Sequence, residues 1–479
     1  MMRSRTRRFD LLPAALAVLL AACAAGPDFR APVAPAAERY SAAPLPAASV
    51  PAAAIAQDFT PGPAPARWWT QYGSTVLDGW VQEGLDHNRD LQATQASLLA
   101  ARELLQAQTG ASELPTVNAE LQVSRQRALG LPTFGPPTAL YKVFVGVVQV
   151  SYDLDLFGGV RRANEAARAD VDVRAQELAA ARQTLAANLV ITAIRSAAQR
   201  REVESQARIV ELAQRRAALT ERRYALGGAA HRDVLDASRA AHAAAAALPA
   251  LQAQWSRTRS ALAVLLGRLP QDAPADLDFE QLRVPAQVPV AVPSELVHAR
   301  PDILAAEAGL HAANARLGVA TANLFPKFTL TGSYGSESFR RASFLHSPSA
   351  VWGVGGAVLQ PLFEGGALLA DRRAASAELD AATRRYEQTV LTAFGNVGDA
   401  LVTLQADAQA LAGELAAEDD AARILAETSR RHESGSENIL SVMASEQQLL
   451  QERIARIAGA DARLIDTATL FQAIGSPAP

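Results

Sequence analysis

One cysteine, seven histidines and an aromatic share of 5% are all that 479 residues provide of the usual cross-linking, metal-binding and stacking chemistry. A lone cysteine closes no internal disulfide, and without Cys and His partners at zinc-type spacing it is a poor metal ligand. The histidines are scattered, and no HExxH helix, nucleophile elbow or cofactor fingerprint stands in a suitable setting. His231 and His432 read as solvated surface residues rather than ligands. The cluster of Gly353, Gly355 and Gly356 is followed by no helix with a Lys-Ser/Thr pair, so it is not a phosphate loop. No catalytic residue, no metal site and no cofactor is expected, and the chain does not read as an enzyme. Beyond the first thirty residues no run of twenty uncharged apolar residues occurs, so no later transmembrane helix is expected. Lys and Arg number 46 against 49 Asp and Glu, which leaves no basic domain to argue for nucleic acid.

What is present begins with that cysteine. Arg3, Arg5, Arg7 and Arg8 precede an apolar run from Leu11 to Leu20, and then small residues, which is the layout of a bacterial export signal. Leu20-Ala21-Ala22-Cys23 resembles a bacterial lipobox, whose cysteine becomes the acylated first residue. The expectation is a signal peptide over 1–22, lipidation with palmitate-type chains at Cys23, and a Pro/Ala-rich extended arm over 23–66. Much of the hydrophobic 49% is alanine, which suits long, closely packed helices.

The chain repeats itself. "RDLQATQASLLAARELLQAQTGASELP" at 89–115 aligns with "PDILAAEAGLHAANARLGVATANLFP" at 301–326, and "RRYALGGAAHRDVLDA" at 222 aligns with "RRHESGSENILSVMAS" at 430. Two structural repeats are expected, 67–267 and 294–475, joined by a proline-rich linker over 268–293 and followed by a tail, 476–479.

Within each repeat the hydrophobic period changes. A helical pattern from about Leu77 to Gln108 gives way to strict alternation, with Val117, Ala119, Leu121 and Val123 on one face and Asn118, Glu120, Gln122 and Ser124 on the other. A second run begins at Lys142, so a hairpin is expected over 115–157. Its counterpart in the second repeat covers 326–363, where a glycine-rich strand runs from Val351 to Phe363. Long two-faced strands suit a transmembrane β-barrel, and the pattern alone fits a half-buried soluble hairpin equally well. Very long helices are expected over 160–225 and 366–432. Val390, Phe394, Val397, Leu401, Leu404, Ala408, Leu411 and Leu415 step by 4 and 3, and Val171, Leu178 and Leu185 make a shorter series, as in a coiled-coil seam. Each long helix reaches a glycine-centred turn, Gly227 or Gly435, and a return helix follows. Four strands cannot close a barrel, and open edges are not tolerated in lipid, so chains would have to pool strands. Two chains would give eight, too few for an open lumen, and three would give twelve.

"LAACAAGPDF", "WWTQYG", "SYDLDLFGGVRRANEAA", "PSELVHARPDILAAE", "ANLFPKFTLTGSYG" and "PLFEGG", in this order and spacing, resemble the outer membrane efflux protein family, the TolC-like channels, and within it the lipoprotein branch that serves resistance-nodulation-division pumps. The resemblance implies an α+β membrane channel: a homotrimer with a twelve-stranded β-barrel in the outer membrane, continuous with a periplasmic α-helical barrel. It implies a periplasmic adaptor (membrane fusion) protein and an inner-membrane proton-driven transporter as partners, with Cys23 in outer membrane lipid. It also places a gate at the periplasmic tip, where the motif match falls on Leu440, Ser441 and Ala444. Acids are missing at Ser441 and Ala444, so Leu440 is expected as a hydrophobic plug. Asp233, Asp236 and Glu437 lie nearby and equally suit helix starts through the helix dipole. The turns at Gly227 and Gly435 are where an adaptor would make contact. The competing class is a periplasmic coiled-coil lipoprotein acting as scaffold or adaptor, which would need no membrane-long strands.

Overall fold

The structure is a computed structural model that describes residues 25–33, 37, 39–40, 46–52, 55–129, 138–290 and 293–475. Cys23, the expected signal peptide over 1–22 and the expected tail over 476–479 lie outside them. Along the chain, strand β1 (Asp58–Pro61) and a 3-10 turn (Trp68–Tyr72) precede helices α1 (Thr75–His87) and α2 (Arg89–Glu113). Strands β2 (Thr116–Leu129) and β3 (Thr138–Leu154) follow, then helices α3 (Gly159–Ala225) and α4 (His231–Leu265). The second repeat runs from β4 (Gln287–Val290) through α5 (Pro293–Ala299), α6 (Pro301–Ala322), β5 (Lys327–Ser338) and β6 (Ala350–Leu359) to α7 (Ala367–Glu433) and α8 (Ile439–Ile474). The two long helices, α3 and α7, have 67 residues each, about 100 Å of helical rise.

Three expected boundaries shift. The first helix is two, because Asn88 adopts an extended backbone and caps α2 by accepting from the Leu91 amide (3.0 Å) while its own amide donates to the Leu265 carbonyl (3.0 Å). β3 starts at Thr138 rather than Lys142, paired with Leu129. β6 ends at Leu359, two residues before Pro361, which has no amide to donate to a ladder. The arm and the linker are also less featureless than their prolines imply, since β1 and β4 pair in parallel from Asp58–Gln287 to Pro61–Val290.

The chain divides into two compact units. One holds residues up to Pro32, Ser97–Arg174 and Ala305–Tyr386. Its centre is an antiparallel sheet in the order β2-β3-β5-β6, so the two hairpins join through β3 and β5. Segment 25–29 is strapped onto this unit. Arg162 donates to the Ala25 carbonyl (3.3 Å) and pairs with Asp28 (2.6 Å), Asn314 donates to the Pro27 carbonyl (2.9 Å), and Phe29 stacks on His311 at 4.3 Å.

The other unit holds Val33–Ala96, Ala175–Leu304 and Glu387 onward, and it is built on helix seams. Val390, Val397, Leu401, Leu404, Ala408 and Leu411 are buried, with Phe394 and Leu415 half-buried, as the 4-and-3 spacing requires. In the first repeat Leu178 and Leu185 of this unit are buried, and Val171 of the first unit is half-buried. Ile209 and Leu212 of α3 pack with Leu450 of α8, flanked by Ala244, Met443 and Ile454. Trp68, Trp69 and Tyr72 form a buried aromatic plug: Trp68 stacks on Phe471 at 5.2 Å, and the Tyr72 hydroxyl donates to the Leu464 carbonyl (2.9 Å).

Candidate functional site

The register sorts side chains by polarity along the part of the sheet nearer the helices, while Val143, Val145 and Val147 put apolar side chains on the reverse side toward the hairpin end. Val150, Gly332 and Val354 form one row across β3, β5 and β6, and Val148, Tyr334 and Trp352 form the next on the same side. This side is apolar yet open: Val354 is 83% exposed and Trp352 76%. The opposite side carries Asn118, Gln149 and Ser333 in one row and Thr116, Ser151 and Thr331 in another. There the Thr329 hydroxyl donates to Asp153 (2.7 Å). Gly353 and Gly355 face Ser333 and Thr331 on this polar side, where small residues keep the wall thin. Among the described residues, strands β2 and β6 are edges with one partner each. A sheet with an exposed apolar face, a polar reverse and two open edges is not a finished soluble structure. It is a wall segment.

The other expected site lies at the helix turns. After α3, Gly227 takes φ +75°, its amide donates to Tyr224 (2.9 Å) and the Gly228 amide donates to Arg223 (2.7 Å). After α7, Gly435 takes φ +76°, its amide donates to His432 (2.9 Å) and the Ser436 amide to Arg431 (2.9 Å). The left-handed conformation suits glycine and terminates both helices in the same way. Leu226 beside the first turn is 87% exposed.

The carboxylates at the turns have local partners. Asp233 accepts from the Ala230 amide (3.0 Å) at the start of α4, and Asp236 lies 3.6 Å from Arg232. Glu437 accepts from the Ser441 hydroxyl (2.7 Å) and the Asn438 amide (3.2 Å). The Ser441 bond, first, and then the Asn438 amide hold the Glu437 carboxyl below its ordinary range. Asn438 caps α8 by accepting from the Ser441 amide (3.1 Å). Leu440 and Ser441 are half-buried and Ala444 is exposed. Among the described residues no hydrogen bond or ion pair joins Asp233 or Asp236 to Ser441.

Sequence reasoning missed a buried polar cluster where α7 meets α8. Arg463, 1% exposed, donates to Gln57 Oε1 (3.1 Å) and to the carbonyls of Ala52 (3.3 Å) and Ile55 (3.0 Å) in the arm. Burial, followed by interaction with Asp466, raises the pKa of Asp407 while Arg463 opposes the rise. Asp461 is pushed up to about 7, chiefly by burial, with Arg195 opposing and Glu202 adding to the rise. The available signal was Arg463 flanked by Asp461 and Asp466 among the apolar residues of "ADARLIDTATLF".

These features have close counterparts. The family described as outer membrane efflux protein matches residues 80–268 and 292–476, one span per repeat. This chain belongs to the outer membrane efflux protein family. Outer membrane protein OprJ of Pseudomonas aeruginosa is 30% identical over 482 residues, covering 98% of this chain and 96% of OprJ. The pyoverdine export outer membrane protein OpmQ of Pseudomonas putida is 32% identical over 426 residues, covering 85% of this chain and 87% of OpmQ. The solved outer-membrane channel OprN superposes with a TM-score of 0.83 at 26% identity, covering 94% of this chain and 99% of that one. This efflux protein is an outer membrane channel with an α+β fold built on an internal repeat, not an enzyme. The scaffold or adaptor alternative finds no support, and the open apolar side of the sheet has the physical role that such a protein would lack.

Proposed function

We propose that this efflux protein works as a homotrimer, the exit duct of a tripartite pump that passes drugs or other small molecules from an inner-membrane resistance-nodulation-division transporter, through a periplasmic adaptor, to the exterior. The observation that carries the reading is the four-stranded sheet whose edges, β2 and β6, are both unpaired. Hydrocarbon supplies no partner for those edge amides and carbonyls, so pairing between chains must close the wall, and twelve strands is the smallest multiple that leaves an open lumen. Three polar reverse sides then line the water path. The long helices extend into the periplasm, and the turns at Gly227 and Gly435 offer the adaptor paired arginines and the exposed Leu226.

Leu440, in the first turn of α8, is the proposed constriction, with Ser441 and Ala444 beside it; the capping roles of Asp233 and Glu437 and the Arg232 pair of Asp236 argue against an acidic ring. Cys23 is the proposed lipidation site, and a Cys23→Ser protein carrying a non-lipoprotein signal should still insert, because the barrel supplies its own apolar surface. The test is conductance in planar bilayers. Leu440→Ala should raise the open level, and an unchanged conductance would remove Leu440 from the gate. Heat-modifiable trimers in the outer-membrane fraction are expected; a monomer released by a high-salt wash would defeat the trimer.

A further inference from the structure

The hairpin end of the sheet carries charge of one sign. Between Leu121 and Tyr152 the sequence holds Arg125, Arg127 and Lys142 and no acid, and between Ser338 and Phe363 it holds Arg340 and Arg341 and again no acid. Arg125 pairs with Lys142 and Arg127 with Leu140, so all three cations continue the side of the hairpin that carries Val117, Leu121 and Val123. They stand one and two rows beyond the apolar row of Val123 and Phe144. Each is exposed, and no ion-pair partner for any of them is found among the described residues. Glu120 and Glu337, the acids at this level of the sheet, pair with Val147 and Val145 and so face the polar side.

The connection from β5 to β6 folds back onto the same outer side. The ring of Phe344 lies 6.2 Å from that of Phe144, in space that Gly146 leaves open, since a Cβ there would stand 2.8 Å from the Phe344 ring. Depth follows from the apolar side of β3, which runs from Phe144 to Leu154. Ten residue steps make about 34 Å of strand, or about 26 Å of height at a tilt of about 40°, which matches the apolar band of about 25 Å in outer-membrane barrels. The cations therefore stand just outside the hydrocarbon, on the lipid side. The helices join the opposite end of the strands, at Glu113 and Gly159, so the hairpin end meets the outer leaflet. That leaflet in a bacterial outer membrane is built of phosphorylated glycolipid.

We propose that Arg125, Arg127 and Lys142 form a docking surface for the phosphate groups of the outer-leaflet glycolipid, with Phe344 packed at the edge of its acyl region. Guanidinium forks match phosphate oxygens in pairs, and the missing carboxylates on this side leave the lipid as the counter-charge. Arg340 and Arg341 extend the positive field along the rim, and the contact fixes how deep the wall sits. The proposal rests on the sheet being a barrel wall, and that reading has its own check in whether the purified protein is heat-modifiable.

The experiment uses full-length, heat-modifiable protein in neutral detergent, titrated with bisphosphorylated lipid A or its dephosphorylated form, with retained lipid counted by native mass spectrometry. The protein should prefer the phosphorylated lipid at least tenfold. The triple variant Arg125→Gln/Arg127→Gln/Lys142→Gln should lose about a hundredfold in affinity for it, following the gain per basic residue at an anionic membrane surface. Single Gln variants, each weaker by several-fold, carry the test if the triple variant does not fold. Arg200→Gln on α3, outside the sheet, should bind as the parent does. Equal retention of both lipids, an undiminished preference in the Gln variants, or displacement of the lipid by equimolar inorganic phosphate would each overturn the proposal.

Discussion

The sheet and the helix seams use the same apolar residue types in opposite ways. Leu404, in the α7 seam, is fully buried against protein, whereas Val354, in the middle of β6, is 83% exposed and makes its wall outward. Burial in a seam converts the heptad into folding free energy within the chain. Exposure in the sheet stores apolar surface for another phase, and it contributes once lipid and neighbouring chains cover it. Period decides which use applies: 3.5 residues turns a stripe toward another helix, and 2 turns a whole face away from its reverse.

Several substitutions break or sharpen this contrast. The largest effect is expected at the polar exception inside the seam. Arg463→Ala strips Gln57 and two arm carbonyls of their donor and leaves the Asp407–Asp466 pair without its nearby positive charge, which should cost about 3–5 kcal/mol in denaturant unfolding. A loss below 1 kcal/mol would mean that the arm is not clamped there.

Next comes a matched pair. Leu404→Ala should cost about 2–5 kcal/mol, whereas Val354→Ala in detergent should change stability by about 0.5 kcal/mol or less. Similar losses at both positions would erase the distinction. Val354→Arg sharpens it from the other side, because a cation near mid-bilayer should cost about 2–4 kcal/mol of membrane insertion while leaving the helix seams intact.

A smaller effect concerns acidity. Asp461, with its pKa near 7 in the fold, binds a proton that the unfolded chain releases near 4. The folded state therefore binds more protons across that window, so this contribution is present below about pH 4 and is lost as pH rises toward 7. Asp407, raised in the same direction, adds to the trend. Thermal midpoints should fall from pH 5 to pH 8 in the parent and fall less in Asp461→Asn; an equal fall in both would take Asp461 out of the account. Least of all, Asn438→Ala removes the cap of α8 and should cost about 1 kcal/mol, visible as faster amide exchange at the Ser441 end and not elsewhere.

Local pattern made much of this structure readable. The alternation from Val117 to Val123, the 4-and-3 steps from Val390 to Leu411, and the glycines at both turns each depend on a few neighbouring residues, and each reappears in the fold. The misses depend on partners far along the chain. Asn88 splits the first helix because its amide finds the carbonyl of Leu265, and Arg463 is tolerated at a buried position of α8 because the arm brings Ala52 and Ile55 to it. The strap at Asp28 needs Arg162 from one repeat and Asn314 from the other. At the candidate gate, the sequence marked Asp233, Asp236 and Glu437 without distinguishing lumen charges from caps, because both roles place an acid near the start of a helix.

The central claim is that one side of the sheet faces lipid and the other faces water. Nitroxide labels at Val354→Cys and Ser333→Cys test it directly, since the two residues lie in adjacent rows on opposite sides of the β5–β6 pair. In the reconstituted protein, the Val354 label should relax with oxygen and be shielded from a water-soluble nickel complex, and the Ser333 label should show the reverse. Equal access of the nickel complex to both labels would describe a solvated hairpin and contradict the channel wall.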